Sequence, residues 1–480
     1  MSVVEKVGKY RWTICALLFF ATTINYLDRQ VLSLTWKDFI APEFGWTNND
    51  YGNITALFSI FYAGSLLVAG RFVDWLDTKK GFLWAIGIWS VGACLHAFCG
   101  IFASGMLTGN WIVGFEGAKE SLKTVSDTGL IISTSVTLFI FARFVLALGE
   151  AGNFPAAIKT TAEYFPKKDR AFSTSIFNAG ATVGALAAPV SVPFIAAAYG
   201  WEMAFLIIGA LGFVWMGFWV FMYDKPEKHP KVTKAELEYI QQDEIADSKI
   251  VGYVPDTKAK VSLLECLKYK QTWAFAFGKF MTDGVWWFFL FWTPAYLSSV
   301  YNMDSTQAAL PLFVLYAITL LSIIGGWLPT YFVEKKGMNP YDGRMRAMLI
   351  FAFFPLLALI AQPLGHITYW IPVVIIGIAG AAHQAWSANI FTTVGDMFPK
   401  KAIATITGIG GLAGGVGSTF INKGSGLLFD YTKTTNMLFM GFKGIEAGYF
   451  IIFSVCAVCY LVGWVVMKSL VPAYKPITTL

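Results

Sequence analysis

Charge is what this sequence lacks. Only 14% of its 480 residues are Asp, Glu, Lys or Arg, where soluble domains carry about 25%. Histidine is scarcer still: His96, His229, His366 and His383 show no metal-ligand spacing with one another, so no metal site is expected. No GxxxxGK[ST] loop occurs, which removes ATP as a direct energy source and leaves no cofactor expected beyond a coupling proton. Of six cysteines, Cys456 and Cys459 have CxxC spacing. They fall in an apolar run without a βαβ context, so helix packing is the reading rather than redox chemistry. The net charge of +6 is not gathered into a base-reading stripe, so nucleic acid is not an expected partner.

Apolar length is what the sequence has. It is 56% hydrophobic and 17% aromatic, and a helix needs about 20 apolar residues to cross a bilayer core. Twelve such runs are expected, at 12–36, 51–73, 81–103, 134–157, 171–194, 202–222, 272–299, 307–333, 345–363, 369–394, 403–421 and 446–468. The chain therefore reads as an all-α polytopic membrane protein. Lys6, Lys9 and Arg11 precede a first run that lacks a small-residue cleavage site, so that run reads as a retained helix. Lys and Arg concentrate in the termini and in alternate loops, which places both termini in the cytoplasm.

The chain divides into two six-helix halves, 1–222 and 272–480, around a charged cytoplasmic linker at 223–271. The halves look related. Glu163-Tyr164-Phe165-Pro166-Lys167-Lys168 returns as Asp396-Met397-Phe398-Pro399-Lys400-Lys401, and Gly184 returns at the same spacing as Gly417. An extra stretch near 104–133 interrupts the first half on the expected outer side. Its Glu116, Lys119, Glu120 and Lys123 have helical spacing, and it reads as a surface excursion rather than a lid. In the linker, Thr233 and Glu236 have capping-box spacing on a short solvated helix, to which no site is assigned. A parallel repeat of this kind puts a ligand near the midplane between the halves.

Ionisable groups inside a bilayer cost at least ~2.5–3.5 kcal/mol each, so each is a functional candidate. They are Asp28, Arg29, Arg143, Glu150, Lys279 and Asp283. Asn25, Asp28 and Arg29 share a helix face, and Arg143 lies two turns from Glu150. Lys279 and Asp283, four apart, either satisfy each other or join the site. The run Trp286–Trp292, with Trp287 as a candidate ligand contact, is either an aromatic wall for a sugar or an interfacial belt and packing surface. His383, Gln384, Trp386, Ser387 and Asn389 form a polar patch within one span. With Tyr62 and Asn178 they suggest a polyol-lined cavity.

NYLDR at 25–29, Arg143 with LGEAGNFP, and EYFPKKDR resemble the anion:cation symporter branch of the major facilitator superfamily. WWFFLFWTPAYL and GIAGAAHQAWSANIFTTVGDMFP resemble, more narrowly, bacterial hexuronate transporters. The resemblance runs from Tyr10 to about Met467, apart from 104–133. It implies the major facilitator fold, a multi-pass monomer in the bacterial inner membrane, and proton-coupled symport of a small anionic sugar acid. Arg29 would bind the substrate carboxylate, with Asp28 and Glu150 as proton-coupling acids and Arg143 beside Glu150. Tyr62, Asn178, Trp386, Ser387 and Asn389 would line the sugar site. One departure stands out: in the loop after the second span, Trp75 and Asp77 replace the Arg and Gly of GxxxDRxGRR.

The expected coupling is a competition. Asp28 is ionised beside Arg29 until a substrate carboxylate takes the guanidinium through a bidentate bond, and Asp28 then takes up a proton. Glu150, tied to Arg143, supplies a second linked step. Facilitated diffusion, antiport or another organic anion are alternatives within transport. No nucleophile–base set is visible to support an enzyme, and no signalling domain to support a receptor.

Overall fold

A computed structural model describes residues 7–242 and 262–477. The remaining linker, both extreme ends, and the side chains of Asp74, Lys167, Lys168, Ala171, Ile323, Lys400, Lys401 and Ala404, with Gly326, lie outside the described residues, and with them the repeated lysine pairs. Helices account for nearly everything else. The first half contains α1 (Tyr10–Thr35), α2 (Asn48–Leu76), α3 (Thr78–Thr108), the short α4 (Phe115–Lys123), α5 (Thr128–Glu150), α6 (Asn153–Tyr164), α7 (Lys167–Tyr199) and α8 (Trp201–Met222). The linker holds α9 (Lys234–Ile240). The second half opens with α10 (Lys270–Tyr301). There α11 (Ala309–Ile318) continues through a 3-10 turn into α12 (Ile324–Lys336), and α13 (Pro340–Phe353) does so into α14 (Ala358–Gly365). Helices α15 (Trp370–Met397), α16 (Lys400–Thr434) and α17 (Ile445–Leu470) complete it.

Among the described residues, nine helical stretches are long and apolar enough to cross a membrane. The long helices outside that group are α1, α10 and α16. They carry Asp28 and Arg29, Lys279 and Asp283, and a run of glycines. All three meet at the seam between the halves.

The internal repeat has a packing counterpart. A Cβ at Gly184 would strike the Thr23 carbonyl of α1, and one at Gly417 would strike the Phe280 carbonyl of α10. Matching glycines therefore bring α7 onto α1 and α16 onto α10, as small residues do where membrane helices approach closely.

Both termini and the linker lie at one end of the bundle. Ile477 N donates to the Met397 carbonyl (2.8 Å), and Gln271 Nε2 to the Lys475 carbonyl (2.9 Å). Thr233 accepts from Glu236 N (3.2 Å), forming one half of the expected capping box. The Glu236 carboxylate does not close the other half. It is fully buried, accepts the N–H groups of Tyr10 (3.2 Å) and Arg11 (3.0 Å), and pairs with the Arg11 guanidinium (3.2 Å). An acid there satisfies orphan donors at the positive end of α1. The linker helix is therefore fastened to the first half, which corrects its reading as a merely solvated face.

The insertion is fastened too. Its predicted pairs form, Lys119 with Glu116 (3.0 Å) and Lys123 with Glu120 (2.6 Å). Lys119 also reaches Glu202 at the start of α8 (3.2 Å) and Glu43 (4.0 Å), while Phe115 packs on Phe98 of α3 (5.9 Å). Helix α4 docks on the flank of the first half. Burial, with Glu202 and Glu116 nearby, pushes the Glu43 carboxyl up to about 7 despite the Trp201 N–H and Lys119.

Candidate functional site

Glu150 closes α5, one tight turn at Ala151 and Gly152 before α6 continues the same stretch. A carboxylate buried there is unfavourable unless a cation answers it. Arg29 answers it. Its Nε and Nη2 both donate to Glu150 Oε2, at 3.0 and 2.8 Å, and both side chains are buried. Breaking such a buried pair costs about 3–5 kcal/mol, because one charge is left uncompensated.

This pairing differs from the expected one. Neighbouring residues on a helix point about 100° apart, so Arg29 turns to Glu150 and the aromatic groove while Asp28 turns away. Asp28 is 2% exposed, and neither of its oxygens makes a hydrogen bond among the described residues. The Trp89 indole N–H approaches it without closing one. Asn25 beside it is also fully buried, with both amide atoms unpartnered. Arg143 is not bonded to Glu150: its Nη1 donates to the Arg29 carbonyl (3.5 Å), and its guanidinium lies 5.1 Å from the Phe58 ring. The two charge pairs read from sequence spacing are thus one closed pair, Arg29 with Glu150, flanked by Asp28 and Arg143.

Aromatic rings enclose the Arg29 guanidinium. It lies 4.6 Å from the Tyr62 ring, 5.0 Å from Tyr26 and 5.2 Å from Trp287, which belongs to the other half. Trp287 also packs on Tyr62 and Phe58, both at 5.7 Å. Trp287 thus lies at the seam beside Arg29. Trp286 faces instead into its own half and stacks on His383 at 5.3 Å.

Toward the end away from the linker, the seam is closed. Trp36 stacks on Tyr51 at 4.1 Å with Trp292 edge-on, and the Trp292 Nε1 donates to Asn422 (2.9 Å). Further out, Asp430 accepts from Asn48 N, Asn48 Nδ2 and Asn49 N at 3.1, 2.8 and 2.6 Å, capping α2 from the opposite half. Lys423 donates to Asn49 and Asn53, both at 2.6 Å. Asp38 accepts from Ser298 (3.2 Å) and Ser305 N (2.6 Å). Sequence reasoning missed this seal and the Phe58 contact. Tyr51, Phe58 and Tyr62 stand at i, i+7 and i+11, a single helical face that was the available signal.

The polar patch of α15 splits in two. Gln384 and Ser387 are half-buried, and Ala388 and Phe391 on the same side are exposed. Trp386 and Asn389 point the other way. Trp386 is fully buried against Tyr460 (5.6 Å), and Asn389 donates to the carbonyls of Gly325 (2.9 Å) and Ala385 (2.8 Å). Both pack within the second half rather than against Arg29, with the Trp386 Nε1 left without a hydrogen bond among the described residues. His383 is also turned inward, sharing a 2.7 Å hydrogen bond with the Tyr460 hydroxyl. Asn178 stands exposed on α7. Lys279 and Asp283 pair at 2.8 Å, and a Cβ at Gly414 would collide with that carboxylate.

Residues 18–421 match the family model of the Major Facilitator Superfamily. The chain belongs to that superfamily. It is 28% identical to a hexuronate transporter of Escherichia coli strain K12 over 432 residues, 89% of each chain. It is 27% identical to a galacturonate transporter of Dickeya chrysanthemi, covering 70% of this chain and 86% of that one. A probable galactarate/D-glucarate transporter of Escherichia coli strain K12 is 23% identical over 94% of each. Among solved structures, the D-xylose-proton symporter aligns with a TM-score of 0.65 at 14% identity, covering 98% of both chains. The chain is thus a multi-pass membrane transporter related to sugar-acid transporters, and not an enzyme.

Proposed function

We propose that the protein imports an anionic sugar acid of the hexuronate class together with protons, by alternating access around Arg29. The carrying observation is the closed Arg29–Glu150 pair, buried with the Tyr62 and Trp287 rings packed on the guanidinium. The names of the relatives support the substrate class.

The competition takes place at Glu150. An arriving carboxylate displaces it from Arg29, for which a guanidinium and a carboxylate are geometrically matched. Glu150, left buried at the end of α5, is then best accommodated as a neutral acid, because an unpaired buried charge is costly. Asp28, already without a partner, holds its proton on the same argument. Arg143 holds the Arg29 backbone in place. With linker and termini cytoplasmic, the sealed end is the outer one and the state is inward-facing.

Uptake into proteoliposomes from a panel of hexuronates, aldonates and aldarates tests the reading. Saturable uptake of galacturonate or glucuronate is expected, abolished in Arg29→Ala. Uptake of none of the panel refutes it.

A further inference from the structure

Lys279 and Asp283 have no part in the mechanism above, yet their placement is specific. With Trp287 they stand at i, i+4 and i+8 on α10, so all three lie along one face of that helix. Trp287 touches Arg29 and Tyr62 at the seam. Asp283 therefore lies about 6 Å, and Lys279 about 12 Å, further toward the linker end, away from the aromatic seal. The Lys279 ammonium sits 4.2 Å from the Phe391 ring, on the exposed side of α15 that also carries Gln384 and Ser387. The Asp283 side chain keeps 15% exposure, while its Oδ1 is itself buried and makes no hydrogen bond among the described residues.

We propose that Asp283 and Lys279 form a subsite for the hydroxyl groups of the substrate, and that this subsite selects sugar acids with one carboxylate over those with two. The proposal rests on the sugar-acid reading above. A carboxylate oxygen with free lone pairs accepts from a hydroxyl, and an ammonium with one proton already committed donates its others to neighbouring hydroxyl oxygens. Trp287, a turn away, offers an apolar face to the sugar's C–H groups. The pair carries no net charge, so a second carboxylate arriving here meets Asp283 without a free cation to answer it. Among the described residues, Arg29 is the guanidinium at this seam that is paired with a carboxylate, and Arg143 lies behind it on the Arg29 carbonyl. The relatives include transporters named for both kinds of acid.

Competition against labelled galacturonate uptake in proteoliposomes, with galacturonate and galactarate as unlabelled competitors, tests the subsite. In the wild type, galacturonate is expected to compete at least tenfold better. Asp283→Asn frees the ammonium and is expected to raise the galacturonate KM several-fold and narrow the preference at least tenfold. Lys279→Gln with Asp283→Asn removes both charges and should raise the KM without favouring galactarate, which covers the case where the single variant does not fold. A wild type that prefers galactarate, or a KM and preference unchanged in both variants, overturns the subsite alone. A wild type that carries no sugar acid overturns the functional reading and the subsite with it.

Discussion

Arg29 and Glu150 carry the account at the scale of single residues. If the substrate displaces Glu150, Arg29→Ala should weaken substrate binding by about 100-fold or more, the loss typical of truncating one partner of a buried charged contact. Isothermal titration with galacturonate checks it. Glu150→Gln is different: it should retain counterflow exchange while losing accumulation driven by a pH gradient. Full gradient-driven accumulation by Glu150→Gln would remove the role given to Glu150. Both residues were legible in the sequence, because charge inside an apolar run is conspicuous. Their pairing was not. Spacing along one helix says which residues share a face, but Glu150 and Arg29 meet across two helices, and nothing in either segment gives the rotation between them.

Another residue explains itself only in three dimensions. Asp77 stands where the related pattern has Gly, and its backbone has φ +68° with ψ 158°, a region that favours glycine. Its carboxylate compensates by accepting Thr78 N (3.0 Å) and pairing with Lys225 (3.1 Å). Asp77→Gly should therefore leave thermal stability within about 1 kcal/mol of wild type, relief of strain offsetting the lost bonds.

At the scale of elements, the seal is built from helix ends. Asp430 caps α2 across the seam and Asp38 reaches the loop after α10, so removing either acid unseats one half from the other at that end. Asp38→Ala with Asp430→Ala should expose Ser33, which is buried beside this seal. A single cysteine at position 33, in a background without native cysteines, should then react with an impermeant maleimide several-fold faster from outside. An unchanged rate would show that these acids do not hold the seal. None of this was visible in the sequence, where Asn, Ser and Asp near helix ends read as ordinary caps for their own helix.

Where the insertion docks, Glu43 brings a pH dependence at the same scale. The Glu43 carboxyl is raised by its burial, so the folded state binds its proton more tightly than the unfolded chain does. Its stabilising contribution is fully present below about 4.5 and lost as pH rises through about 7. Thermal unfolding between pH 4.5 and 7.5 should show a decline with rising pH that is shallower in Glu43→Gln. Identical slopes would mean that Glu43 does not titrate in this range.

For the whole molecule, the sequence carried the architecture further than the site. Apolar length made a polytopic all-helical protein the expectation, and the described residues hold nine helical stretches long and apolar enough to cross a membrane, because a bilayer leaves few other solutions for such a chain. Which faces line the seam was only half legible. Trp287 and Tyr62 reach it, whereas Trp386 and Asn389 turn into their own half, since a polar residue in a span serves helix packing as readily as a ligand.

The whole molecule is also where coupling must be tested, because only two compartments define it. Galacturonate added outside proteoliposomes that hold a pH-sensitive dye, with the membrane potential clamped near zero, is the most direct measurement. Acidification of the interior that requires substrate and disappears in Glu150→Gln is expected. Saturable galacturonate entry with no movement of protons would contradict it.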